Sequence, residues 1–231
     1  KNAFVEFERV QKSYDGETLV VKDLNLTLSQ GEFLTMLGPS GSGKTTCLMM
    51  LAGFETATHG DIRLDGVSIN NIPPHKRGIG MVFQNYALFP HMTVAENLSF
   101  PLEVRKIGKS DREQKIMRAL GMVQMQDFAS RRPTQLSGGQ QQRVAVARAI
   151  VSGPTLVLAD EPTANLDSTS ATQLIELFVS LNRERGITFV IATHDTRVMA
   201  YCPRLIRMED GKIISDEERT GKSGELQPQP S

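Results

Sequence analysis

The sequence is poor in cysteine, carries no net charge and contains no long hydrophobic run. Its two cysteines, Cys47 and Cys202, are too few for a disulfide framework and lack the spacing of metal ligands, which favours a reducing, cytosolic environment. The 26 basic residues balance the 26 acidic residues, so bulk charge does not indicate binding to nucleic acid or anionic lipid. No apolar segment approaches the roughly 20 residues of a membrane-spanning helix, and no signal-peptide pattern opens the sequence. We therefore expect a chain that does not cross a membrane by itself and that has no nucleic-acid partner.

The rest of the composition is that of a globular protein. With 39% hydrophobic and 23% charged residues over 231 positions, it predicts one large domain or two small lobes. Period-two alternation over residues 4–10 and 24–28 predicts antiparallel strands. Short apolar runs at 155–159 and 187–192 are typical of strands buried on both faces. The helical stripe between these two runs implies a right-handed parallel crossover.

Two further regions differ from these. Residues at about 90–150 have helical spacing, and Ser110 to Glu113 within them fits a helix-capping box. The last residues, 216–231, are polar and without periodicity, which predicts a disordered tail. The predicted fold class is therefore α/β, with a mixed β-sheet core, an antiparallel β flank and a helical subdomain, in a domain that spans residues 1–215.

A glycine-rich loop lies between an apolar strand and a helix. It reads Gly38, Pro39, Ser40, Gly41, Ser42, Gly43, Lys44 and Thr45, a complete G-x-x-x-x-G-K-[ST] pattern, with Thr46 following it. Its glycines let successive backbone N–H groups approach a phosphate closely. Lys44 adds positive charge for the β- and γ-phosphates, and the Thr45 hydroxyl can ligate Mg²⁺. The pattern predicts a nucleoside triphosphate site.

Two acidic residues end the apolar run that begins at position 155. Asp160 is placed to hold Mg²⁺ through water, and Glu161 could polarise an attacking water. Taken alone, such a pair could simply end a strand. After an intact phosphate-binding loop, a functional role is favoured.

A second anion-binding helix start is predicted at Ser137, Gly138, Gly139 and Gln140. An ordinary N-cap with a flexible turn is the alternative. Because the chain then has two phosphate-seeking helix ends, the second is expected to close on nucleotide from the other side.

This combination resembles the nucleotide-binding subunit of an ABC transporter. The resemblance rests on the phosphate-binding loop, on residues 136–140 (here the signature segment), on the acidic strand end and on a later Thr193-His194-Asp195, and it covers about residues 3–215. It implies an ABC ATPase domain that binds ATP and Mg²⁺ and hydrolyses ATP to power a transmembrane permease. It also implies an ATP-dependent homodimer in which the signature segment of one copy closes on ATP held by the other. The implied location is peripheral, through the permease, at the cytoplasmic face of the inner (cell) membrane.

The resemblance also implies roles for single residues. Tyr14 matches an aromatic residue that stacks on adenine, and a tyrosine at a β-edge is the less favoured alternative. Gln84 matches a glutamine that senses Mg²⁺ and the γ-phosphate, and His194 matches a histidine that touches the γ-phosphate. The implied catalytic residues are thus Glu161, His194 and Gln84, and the implied metal contacts are Thr45, Gln84 and Asp160.

The two halves of the sequence resemble different types of transporter. Residues 72–77 and 86–97 are similar to importers of the spermidine/putrescine and sugar class, which implies polyamine or other small-solute import. From about residue 160 onward, the chain is more similar to the lipoprotein-releasing and macrolide-export type. Residues 85–95 crowd apolar side chains into one loop, which predicts part of the permease dock or, alternatively, a buried loop.

Two other classes of protein remain as alternatives. A soluble ABC ATPase of DNA repair is disfavoured, because the short segment between Thr45 and Gly138 leaves no room for a very long coiled coil. A soluble ABC ATPase of translation normally holds two such domains in one chain, whereas this sequence contains one, which disfavours that class. A nucleotide-gated binding module without turnover is the second alternative, and phosphate release would discriminate it from an ATPase.

Overall fold

The computed structural model describes residues 3–219 and has two β-sheets and five α-helices in that part of the chain. The strands are β1 (Val5–Ser13), β2 (Leu19–Leu28), β3 (Phe33–Leu37), β4 (His59–Leu64), β5 (Val67–Ser68), β6 (Ile79–Val82), β7 (Leu156–Asp160), β8 (Thr188–Thr193), β9 (Arg204–Glu209) and β10 (Lys212–Glu218). The helices are α1 (Lys44–Ala52), α2 (Val94–Val104), α3 (Lys109–Met122), α4 (Gly138–Ile150) and α5 (Ser168–Arg185).

The larger sheet is mixed. Its strand order is β10-β9-β3-β8-β7-β6, in which β10 pairs antiparallel with β9 and the other neighbours are parallel. Strands β3 and β8 are buried at every position, because the chain covers both faces of the sheet. Since β3 and β7 are parallel members of this sheet, the loops that follow both strands emerge at the same edge. The predicted mixed core is confirmed.

The smaller sheet is antiparallel, with strand order β2-β1-β4-β5. It packs with α1 on one face of the larger sheet, around a cluster that includes Val21, Leu48 and Leu158. The other face packs α2, α4 and α5 around Leu98, Val146 and Phe178. The α/β class with an antiparallel flank is therefore confirmed.

The helical region contains α2, α3 and α4. Thr93 and Ser137 each form a capping box at the start of α2 and α4, respectively. The capping box predicted at Ser110 is wrong, because α3 already begins at Lys109 with Gly108 as its N-cap. Among the described residues, no helix has both the length and the apolar character to cross a bilayer.

The disordered tail predicted from residue 216 is wrong for residues 216–218, which belong to a strand. Strand β10 continues through Asp216 to Glu218, paired with β9. Arg204 donates from Nε and Nη2 to the two oxygens of Asp216, over 2.9 and 2.7 Å, and from Nη1 to Glu32. The polar sequence reflects the exposure of an edge strand that this ion pair anchors. The rest of the predicted tail, residues 220–231, lies outside the described residues.

Arg77 closes the C-terminal end of α1. Its Nη1 donates to the carbonyls of Met50 and Leu51 over 2.8 and 2.9 Å, and its Nε donates to Ile72 over 2.7 Å. Burial lowers the pKa of Arg77. The positive charge faces the negative end of the helix dipole. Arg77 therefore satisfies two carbonyls at this end of α1, beside the Gly53 N–H that donates to the Met49 carbonyl.

We expect Arg77→Met to lower the free energy of unfolding by about 2–4 kcal/mol, because it removes three hydrogen bonds from a charged donor. Urea unfolding measures the change. The matched control is Arg63→Met, since Arg63 is more than a third exposed and pairs with surface carboxylates. That control should lose no more than about 1 kcal/mol. Equal losses in the two variants would contradict this account of α1.

Candidate nucleotide site

The phosphate-binding loop connects β3 to α1 and is tightly packed on its outer side. Gly43, the N-cap of α1, has a φ of 98°, and a Cβ there would lie 3.0 Å from the carbonyl oxygen of Val20. At Gly38, a Cβ would lie 2.4 Å from the carbonyl oxygen of Met208. Only glycine therefore fits both positions, and the loop is held in one shape by neighbouring backbone.

The loop is chemically suited to an anion. The α1 N-terminus has no side-chain cap and no acidic residue in its first turn, so its N–H groups remain available. The Ser42 hydroxyl is buried and forms no hydrogen bond with any described residue. A buried polar group without a partner is costly, and a phosphate oxygen would satisfy it. The residues present thus fit the predicted phosphate.

Lys44 and Thr45 join this loop to the acidic strand end. Lys44 is 3% exposed, donates to the Pro39 carbonyl over 3.1 Å, and has its Nζ 3.6 Å from Glu161 Oε1. Thr45 Oγ1 donates to Asp160 Oδ1 over 2.9 Å. Burial raises the pKa of Asp160, and the Thr45 hydrogen bond opposes this shift. A hydroxyl beside a carboxylate is a donor set that suits Mg²⁺.

Glu161 is held from several sides just after β7. Its backbone has a φ of 45°, and its N–H donates to the Ala192 carbonyl over 2.8 Å. His194 Nδ1 lies 3.0 Å from Glu161 Oε1, while Thr193 Oγ1 and the His194 N–H donate to Oε2. The left-handed backbone conformation is uncommon for glutamate and is stabilised here by these contacts. The structure therefore brings Lys44, Glu161 and His194 together.

Gln84 and Tyr14 lie at exposed positions. The backbone carbonyl of Gln84 accepts a hydrogen bond from Asn165 Nδ2 over 3.2 Å, which ties its loop to the segment after β7. The Tyr14 side chain is 60% exposed, and Lys12 Nζ lies 4.8 Å from the centre of its ring. Neither side chain makes a hydrogen bond within the described residues to the Lys44–Glu161 group. Their predicted roles remain predictions.

The signature segment caps its own helix. Ser137 Oγ accepts from the Gln140 N–H over 3.2 Å, and Gln140 Oε1 accepts from the Ser137 N–H over 3.0 Å. In residues 3–219, no hydrogen bond joins this segment to the phosphate-binding loop. The predicted helix start at Ser137 is thus confirmed, whereas the predicted contact of this segment with nucleotide stays a prediction.

Two polar residues of α4 escaped the sequence analysis. Gln142 is fully buried, and its Nε2 donates to the carbonyls of Pro162 and Phe83 over 2.8 and 3.4 Å. Arg148 donates to the carbonyls of Tyr86 and Ala87, over 3.1 and 2.6 Å. The available signal was a glutamine at helical spacing from apolar residues, four and seven positions before Val146 and Ala149.

Together, the cradle and the acidic residues beside it define a P-loop nucleotide-binding protein. A family profile described as ABC transporter matches residues 21–164, which is more than half of the sequence. The chain therefore belongs to the ABC transporter family.

Individual relatives agree with this assignment. The spermidine/putrescine import ATP-binding protein PotA of Aggregatibacter actinomycetemcomitans is 46% identical over 213 residues, which cover 92% of this chain and 57% of that protein. This chain thus spans little more than half the length of that relative. The dimeric ABC transporter cassette MJ0796 is 36% identical and superposes with a TM-score of 0.85, covering 94% of this chain and 100% of the cassette. A dimeric post-hydrolysis state of the same cassette, bound to ADP and Pi, gives a TM-score of 0.84 at 36% identity, with the same coverage.

Proposed function

We propose that this chain is the ATP-binding and ATP-hydrolysing subunit of an ABC transporter. The observation that carries the proposal is the 3.6 Å approach of Lys44 Nζ to Glu161 Oε1, beside the Thr45–Asp160 hydrogen bond. It supports the proposal because a cation that would bind phosphates, a donor set that would hold Mg²⁺ and a carboxylate that would accept a proton from water lie close together. The membership of the chain in the ABC transporter family supports the same conclusion.

Different residues have separate roles in the proposed hydrolysis. Loop N–H groups, the Ser42 hydroxyl and Lys44 bind the phosphates of ATP. Thr45, Asp160 and Gln84 would hold Mg²⁺, which neutralises phosphate charge when it is bound. Glu161 accepts a proton from the attacking water. His194, whose Nδ1 lies 3.0 Å from Glu161 Oε1, orients that carboxylate and would contact the γ-phosphate of bound ATP.

A second copy of the chain completes the site in this proposal. The signature segment has a capped helix start and makes no hydrogen bond to the phosphate-binding loop within residues 3–219. The two MJ0796 structures named above are described as dimeric. In a head-to-tail dimer, the signature segment of each copy contacts the ATP of the other, so ATP drives closure.

The proposed cargo is a polyamine or another small solute that is imported. The support is the 46% identity to a protein named for spermidine/putrescine import. That match covers 92% of the chain and so includes most of the second half. Lipoprotein release or export is the second candidate, favoured by the sequence pattern after residue 160. In either case, the chain acts at the cytoplasmic face of the inner membrane, bound to its permease.

Residues 85–95 form the proposed contact with the permease. The Phe89 ring lies 5.2 Å from that of Phe100, which is 43% exposed, and Asn97 hydrogen-bonds both the N–H and the carbonyl of Phe89. The loop is thus an anchored, partly apolar surface next to Gln84. Such a surface suits an apolar helix of a partner.

We expect Phe89→Asp to lower spermidine uptake about 10-fold or more in cells that carry the native permease, because a carboxylate would be desolvated at the contact. ATP binding by the purified variant should stay within about 2-fold, since Phe89 lies outside the phosphate cradle. Val67→Asp, which places the same charge at a more exposed apolar position on β5, is the control and should retain uptake. Unchanged uptake in Phe89→Asp would contradict the proposed contact between residues 85–95 and the permease.

Phosphate release by the purified chain, with ATP and with or without Mg²⁺, tests the proposed activity. Release that requires Mg²⁺ supports an ATPase. ATP binding without any release would favour a nucleotide-gated binding module. Release that continues while no membrane protein copurifies from native membranes would favour a soluble ABC ATPase.

A further inference from the structure

We propose that Gln142 is a positioning residue for hydrolysis, which sets the position of Gln84 relative to Glu161. This inference rests on the proposed function, because it concerns the same site. The two carbonyls that the Gln142 amide reaches belong to Phe83 and Pro162. Phe83 immediately precedes Gln84, and Pro162 immediately follows Glu161. One side chain therefore ties the two chain segments that carry the predicted sensing and catalytic groups.

The orientation of this amide follows from its partners. Both partners are carbonyl oxygens, which only accept, so the group that faces them is the NH₂ group with its two donors. The Oε1 atom on the other side is buried and accepts no hydrogen bond from a described residue. A methionine would fill similar space and bury no unpaired Oε1, but it would leave the Pro162 carbonyl without this donor. The NH₂ group therefore contributes to stability and also ties the two chain segments together.

The helix that carries Gln142 has a fixed position on the sheet. At Gly80 of β6, a Cβ would lie 2.4 Å from the carbonyl oxygen of Ala149, so α4 and β6 are in close backbone contact. Strands β6 and β7 are parallel neighbours, and their ends lead to Phe83 and Pro162. Gln142 therefore bridges two adjacent strand ends from a helix that cannot shift freely.

Arg148 of the same helix holds the other side of the Gln84 loop. It donates to the carbonyls of Tyr86 and Ala87, whose φ values of 64° and 51° are left-handed. Gln84 is thus flanked by carbonyls that α4 fixes on both sides. Because α4 begins with the signature segment, the contacts of Gln142 link that segment to Gln84 and Glu161 through one rigid element.

The test is the rate of phosphate release by the full chain carrying Gln142→Met. We expect kcat to fall about 10-fold or more, with the Kd for ATP within about 2-fold, because the phosphate-binding loop is not touched. The melting temperature should fall by about 2–8 °C, because two hydrogen bonds are lost, so the rates are measured well below the unfolding transition. Gln114→Met is the matched control, because Gln114 is an exposed residue of α3 that lies outside the proposed site. That control should keep kcat within about 2-fold.

A second readout separates positioning from general stabilisation. In a Gln84→Ala background, Gln142→Met should reduce kcat by less than about 3-fold further, because the group to be positioned is already gone. A full additional loss there would overturn the proposal. So would a Gln142→Met variant whose kcat equals that of Gln114→Met.

A second variant tests the proposal if Gln142→Met does not fold. If Gln142→Met loses ATP binding or melts early, Gln142→Asn decides in the same assays. It keeps the amide but is one methylene too short to reach both carbonyls, so the same fall in kcat is expected, and wild-type kcat would overturn the proposal. A wild-type chain that releases no phosphate refutes the proposed function itself and this inference with it. An active wild type with a fully active Gln142→Met refutes the inference alone.

Discussion

Phosphate release by the Glu161→Gln variant is expected to fall about 100-fold or more, whereas ATP binding persists. A glutamine keeps the shape of the side chain but cannot accept a proton from the attacking water, and general-base contributions are of the order of 10²–10⁴-fold. The substitution also removes the negative charge that faces Lys44 Nζ at 3.6 Å, so the affinity for the anionic nucleotide should hold or increase. Single-turnover phosphate release and equilibrium ATP binding measure the two effects separately.

The control for this substitution is Glu176→Gln. Glu176 is an exposed residue of α5, so the same chemical change occurs there away from the site. Its rate should match that of the wild type within about 2-fold. Equal rates in Glu161→Gln and Glu176→Gln would end the catalytic assignment of Glu161.

Replacing Lys44 with alanine is expected to weaken ATP binding about 50-fold or more. The Lys44 ammonium is buried and held by the Pro39 carbonyl and the Glu161 carboxylate, so it is positioned before nucleotide arrives. Removing it deletes a charge-assisted contact to the phosphates and leaves the Glu161 carboxylate without its nearby cation. Titration calorimetry with ATP measures the loss.

Lys115→Ala provides the matched control, because Lys115 is an exposed lysine of α3. It changes the net charge equally and should leave the Kd within about 2-fold. A Lys44→Ala chain that binds ATP as tightly as Lys115→Ala would contradict the phosphate-binding role of the loop.

Most of the fold could be predicted from the sequence because its signals are local. The apolar runs that became β7 and β8 were read correctly, and Asp167 and Gly186 bound α5 as N-cap and C-cap. The end of β10 could not be read in this way. Asp216 is held by Arg204, 12 residues away, and no local pattern encodes that ion pair.

The candidate site was predictable in its residues but not in its contacts. The phosphate-binding pattern predicts that Lys44 and Thr45 face a phosphate. It does not predict that Lys44 Nζ lies 3.6 Å from Glu161 Oε1. That distance depends on β3 and β7 ending at the same edge of the sheet. Gln142 was missed for a related reason, since a buried amide that binds two backbone carbonyls has no sequence motif.

The central claim is that two copies of the chain close on ATP, each with its own phosphate-binding loop and its partner's signature segment. The mass of the Glu161→Gln protein in solution, with Mg²⁺ and either ATP or ADP, tests this claim most directly. The account predicts twice the monomer mass with ATP and the monomer mass with ADP. A monomer at saturating ATP, or the same dimer with both nucleotides, would contradict it.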